Sequence, residues 1–108
     1  MIKINWKLYS NNNLIIDLKN VKCNKDNNKL IININDEINT IDLNKKIFIR
    51  ELKDYNMSID FINKIITFKL NDGKVLDFDI DCSININDNE VIMNYNLDEN
   101  KKIIVERI

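Results

Sequence analysis

Apolar and polar residues alternate along nearly the whole chain. Ile2, Ile4, Trp6 and Leu8 are separated by Lys3, Asn5 and Lys7, and Leu14, Ile16 and Leu18 continue at the same spacing. A period of two places alternate side chains on one face of an extended strand. The same pattern predicts strands over residues 30–34, 38–43, 47–50, 57–62, 65–70, 75–86, 91–97 and 103–108. The stretch 75–86 alternates most cleanly. Leu76, Phe78, Ile80, Cys82, Ile84 and Ile86 form its apolar face, with Phe78, Ile80 and Cys82 expected in the core; Asp77, Asp79, Asp81, Ser83 and Asn85 form the other face, its aspartates expected in solvent. Val21 and Cys23 fall out of phase with 14–18, which predicts a bulge near Lys19-Asn20. No segment follows helical spacing well, although 51–57 could form a short helix.

Between the alternating runs lie clusters of Asn, Asp, Ser and Lys. Asn and Asp tolerate the left-handed backbone of tight turns. Asn71-Asp72-Gly73 holds the sole glycine of the chain and predicts a hairpin tip. The connectors are about two to six residues long, which makes consecutive strands antiparallel neighbours. Eight to ten strands joined this way form a meander. An open meander leaves two exposed edges, whereas an up-and-down barrel leaves none. A sandwich would need longer crossovers. The expected fold is therefore all-β, an antiparallel up-and-down meander closed into a small barrel, as one domain over residues 1–108.

Composition narrows the function more by exclusion than by indication. Asn and Ile each supply about one residue in five, far above ordinary usage. Both, with Lys, are encoded by AT-rich codons, so compositional drift in an AT-rich genome accounts for the excess. The net charge of −1 gives no electrostatic pull toward nucleic acid or an acidic membrane. There is no apolar run long enough for a signal peptide or membrane span. Two cysteines, Cys23 and Cys82, make no disulfide framework and are expected to be reduced, which points to the cytoplasm.

The chain has no His, which removes the Ser-His-Asp triad, the Cys-His pair and every His-ligated metal site. One glycine cannot build a phosphate-binding loop. No catalytic residue, cofactor or metal is expected. Asn24-x-Asp26-x-Asn28 begins like a calcium loop, but Lys29 and Asn35 occupy the positions that need Gly and Glu, so it reads as a plain turn. Asp77, Asp79 and Asp81 read as a solvated stripe that discourages aggregation.

Residues 47–108 resemble the YwiB-like domains of unknown function. The matching features are a strand ending in Arg50, then Met57 and Phe61, then Ile65-Ile66-Thr67-Phe68 leading into a turn at Gly73. They continue with the alternating Leu76-Asp77-Phe78-Asp79-Ile80, the strand Val91-Ile92-Met93-Asn94-Tyr95-Asn96-Leu97 and a short closing strand. Glu51-Leu52 stands where that family tends to have glycine. The resemblance implies a lipocalin-like calycin barrel and brings no established activity.

Two functions follow as expectations. The first is a non-enzymatic binding module whose barrel mouth takes a small apolar or amphipathic ligand, with Trp6, Arg50, Phe68 and Tyr95 as candidate ligand-binding residues. The alternative is a protein-interaction or assembly module acting through its outer surface. Ile15, Ile31, Ile65 and Ile104 each neighbour another apolar residue, so one of each pair should point outward, and a homodimer could bury them.

Overall fold

The computed structural model describes residues 2–108. Those residues form eleven strands and no helix: β1 (Ile2–Ser10), β2 (Asn13–Asp26), β3 (Lys29–Ile34), β4 (Glu37–Asp42), β5 (Ile47–Glu51), β6 (Tyr55–Asp60), β7 (Ile65–Leu70), β8 (Val75–Asp79), β9 (Cys82–Ile86), β10 (Glu90–Leu97) and β11 (Glu99–Arg107). The hydrogen-bonding order is β8-β7-β6-β5-β4-β3-β2-β1-β11-β10-β9. The antiparallel meander expected from the short connectors is thus present, and the last strand returns beside the first.

Two local expectations fail. The stretch 75–86 is not one strand: β8 pairs with β7, β9 pairs with β10, and Ile80-Asp81 separates them. This raises the strand count above the expected eight to ten. Alternation reports which face a residue occupies; it does not report which neighbour the backbone bonds to. The proposed helix at 51–57 is absent. β5 extends to Glu51, Leu52 N–H donates to the Tyr55 carbonyl at 3.0 Å, and β6 begins there.

The chain gathers into two compact units, Met1–Cys23 with Ile80–Ile108, and Asn24–Asp79. In the first, cross-strand register lines up apolar rows, buried at Trp6, Val91, Met93, Ile103 and Val105 and half-buried toward their ends. One row runs Leu18, Trp6, Val105, Val91, Ile86; the next runs Ile16, Leu8, Ile103, Met93, Ile84. The predicted bulge is there: the β1–β2 register shifts between Ile4 and Trp6, Asn20 has φ +58°, and its N–H donates to Asn5 Oδ1 at 3.2 Å. A second shift opposite Leu8 and Tyr9 leaves Ile15 as an extra residue, exposed on the strand. Ile31, Ile65 and Ile104 are only half-buried, so the four isoleucines do not form one exposed set.

The second unit also builds rows. Leu30, Ile41, Phe48, Ile59, Ile66 and Phe78 form one; Ile32, Asn39, Arg50, Met57, Phe68 and Leu76 form its neighbour. Ile32, Ile41, Phe48 and Ile59 are fully enclosed. Each row thins at β8. Phe78, expected in the core, is 53% exposed because no strand lies beyond β8 in the order to cover it, while Ile80 is buried as expected.

The asparagines and aspartates do the turn work that their chemistry suits. Left-handed backbone occurs at Asn11, Asn12, Asn27, Asn35, Asp36 and Asp98, and at Gly73 in the β7–β8 hairpin. Asp42 Oδ1 accepts the N–H groups of Asn44 and Lys45 at 3.1 and 2.9 Å, and Asp60 and Asn87 cap their own turns in the same way.

Candidate functional site

The four sequence-derived candidates divide between the units. Trp6 and Tyr95 lie in the first unit as core residues, on different cross-strand rows and both buried. Arg50 and Phe68 lie in the second, on one row with Met57 between them. Arg50 already has an anion: Nε and Nη2 donate to Glu37 Oε2 at 3.1 and 2.7 Å. Register places Asn39 beside Arg50, and Asn39 is buried, with Nδ2 reaching the carbonyls of Ile32 and Glu37. A polar group of Glu37, Asn39 and Arg50 therefore interrupts an apolar face. Arg50, a ligand-binding candidate in the sequence, is in this structure paired with Glu37.

A second cluster had no signal in the sequence, because its members lie far apart in the chain. The buried hydroxyl of Ser10 donates to the Glu99 carboxylate, and Lys101 Nζ lies 3.1 Å from Ser10 Oγ and 3.3 Å from Glu99. A serine beside a lysine suggests a nucleophile and base. Here the amine is ion-paired to Glu99, and an ion-paired ammonium has no lone pair with which to take the hydroxyl proton. The Ser10 hydroxyl, with help from Lys101, holds the Glu99 carboxyl below its usual range. Beside it, Asn11 N–H donates to the Asn100 carbonyl at 2.8 Å, and Asn100 N–H donates to Asn11 Oδ1 at 3.1 Å. The arrangement clasps the β1–β2 hairpin to the β10–β11 hairpin.

A cavity of about 170 Å³ lies over the β2–β3 and β4–β5 turns. Asp26, Asn27, Asn28, Lys29, Asp42, Asn44 and Lys45 line it, a polar set that suits no apolar ligand. Among the described residues, no group of three or more acidic or thiol side chains could hold a metal ion.

The remaining feature is the outer side of β8. Its five residues are all exposed. Leu76 and Phe78 carry the inner rows outward, and Phe68 packs edge-on to Phe78 with ring centroids 6.2 Å apart. Tyr55 adds a third ring, 5.9 Å from Phe68. Asp77 and Asp79 occupy the opposite face, where Thr67 Oγ1 donates to Asp77 Oδ1 at 2.6 Å. The chain thus presents a terminal strand with an aromatic shelf on one face and carboxylates on the other. Comparison with known proteins adds nothing to this geometry: no family model, no curated protein and no solved structure matches the chain.

Proposed function

We propose that this chain is a non-enzymatic protein-interaction module whose working surface is the outer edge of β8. The observation that carries the reading is the exposure of Val75, Leu76 and Phe78 on β8, one of the two strands that end the hydrogen-bonding order. Single exposed apolar residues are ordinary; three on one open strand are the feature that proteins usually cover or guard. The absence of His from the sequence and the ion-paired state of Lys101 support a role without catalysis. The resemblance of residues 47–108 to the YwiB-like domains is compatible with this, since that family brings no activity. A photo-crosslinking residue in place of Leu76 should form an adduct with another polypeptide in cells that make the protein, while the same residue in place of the exposed Ile62 should not. Equal labelling at the two positions, or none at position 76, would refute the proposal.

A second reading rests on Arg50. Its guanidinium, on a strand position between Asn39 and Met57, already holds a carboxylate. An amphipathic acid could place its head group where the Glu37 carboxylate now lies. Native mass spectrometry of freshly purified protein separates the readings: a small-molecule adduct lost on Arg50→Leu favours the ligand, and the same spectrum reports whether the chain is a monomer or the homodimer expected from its isoleucines.

A further inference from the structure

We propose that the partner of β8 is an extended polypeptide segment in which apolar and basic residues alternate, added to the sheet as one more strand. The inference rests on the reading of β8 as the working edge and specifies what that edge accepts.

Strand addition supplies main-chain hydrogen bonds to an open edge, and the alternating side chains of the incoming segment select for sequence. On one face the segment would extend the two rows that thin out at Leu76 and Phe78. The residues facing these must be apolar, because Phe78 lies beside Phe68 and Ile66 and offers no polar partner. On the other face the segment meets Asp77 and Asp79. No basic side chain of the described residues forms an ion pair with either; Lys74, the nearest in sequence, is turned to Asp72 at 3.7 Å. Thr67 engages Asp77 through Oδ1. Opposite charges across neighbouring strands stabilise pairing and like charges oppose it. A lysine or arginine two residues from each apolar anchor therefore lies on the wrong face, whereas one between the anchors lies on the right one.

The same carboxylates argue against a second copy of β8 as the occupant. Every register that sets both Leu76 and Phe78 opposite apolar residues of the copy also sets Asp77 opposite an aspartate. A slip of one residue would instead place Asp77 and Asp79 against the aromatic shelf, where they would lose water without a partner. The acidic stripe thus excludes the chain's own edge and acidic strands while admitting basic ones, which is specificity by repulsion as well as attraction.

The test uses the full chain and three fluorescent probes: short peptides alternating valine with lysine, with serine or with glutamate, plus a block-ordered valine–lysine control of the same composition. Binding is read by anisotropy and located by backbone amide shifts. The valine–lysine peptide should bind most tightly, shift the amides of β8 and prefer the wild type over Asp77→Lys/Asp79→Lys by about tenfold or more, since two favourable cross-strand pairs become repulsive. The double variant should in turn prefer the valine–glutamate peptide. Both substitutions are at exposed positions, and circular dichroism establishes that the variant is folded. Equal or tighter binding of the serine or glutamate peptide at β8 would overturn the chemistry proposed for the partner while leaving β8 as the working edge. Equal binding of the block-ordered peptide would overturn it too, by reducing the attraction to bulk charge. Failure of every alternating peptide to move the β8 amides would overturn both readings.

Discussion

Phe48 and Phe78 stand on the same cross-strand row of the second unit, three ladders apart, and truncating them should have very different consequences. Phe48 is fully enclosed between Ile41 and Ile59. Phe48→Ala removes a ring from a site that can only partly collapse, and such losses cost about 3–5 kcal/mol. Phe78 keeps roughly half of its surface in water at the end of the row, so the burial lost in Phe78→Ala amounts to about 1 kcal/mol. With a urea slope of about 2 kcal/mol per molar, typical of a small domain, the midpoint should fall by about 2 M for Phe48→Ala and about 0.5 M for Phe78→Ala. Urea melts followed by far-ultraviolet circular dichroism measure both. Equal midpoints, or a larger fall for Phe78→Ala, would mean that β8 is covered and that the open edge does not exist.

Gly73→Ala should lower stability by about 1 kcal/mol, because φ of +91° strains any side chain even though open space surrounds the site; a stability gain would refute the turn geometry. The half-buried Arg50–Glu37 pair should show a coupling of about 0.5–1 kcal/mol in a double-mutant cycle with Arg50→Met and Glu37→Gln; zero coupling would mean that the contact carries no energy. Asp42, Asp60 and Glu99 are all held below their usual range, Asp42 first by the Lys45 N–H, Asp60 first by the Asn63 N–H and Glu99 first by the Ser10 hydroxyl. A depressed carboxyl stabilises the fold fully above its unfolded value and loses that contribution as pH falls through the folded one. Urea midpoints should therefore hold down to about pH 4 and decline below it, and Asp42→Ala should flatten that decline; an unchanged pH profile in the variant would contradict the capping role.

Period-two alternation and turn chemistry carried most of the fold. They placed Ile4, Trp6, Ile32, Phe48 and Ile103 in buried rows and located the Asn20 bulge and the Gly73 hairpin. Short connectors then implied the antiparallel order. The misplaced core residue, Phe78, has a simple cause. Pattern tells which residues share a face, but exposure depends on whether a neighbouring strand exists on each side. Phe78 alternates as perfectly as Ile80, yet it lies on a terminal strand. The candidate site suffered similarly. Arg50 was visible as an arginine beside Ile47-Phe48-Ile49, but its Glu37 partner depended on the register between β4 and β5. Ser10, Glu99 and Lys101 meet only because β11 returns beside β1, which no local pattern encodes.

That return also sets a timetable for synthesis. From β3 to β8 each strand pairs with the one just made, so residues 24–79 can form hairpin by hairpin as they emerge. β1 is different: it can pair with β2 early, but its other side must wait for β11, close to a hundred residues later. Contacts so distant along the chain form slowly. Throughout that wait β1 presents a bare edge with Trp6 and Ile4 in its apolar row. A nascent or C-terminally clipped chain would therefore be the aggregation-prone species, and its hazard would lie at the first strand made, not at the edge that the finished protein keeps open.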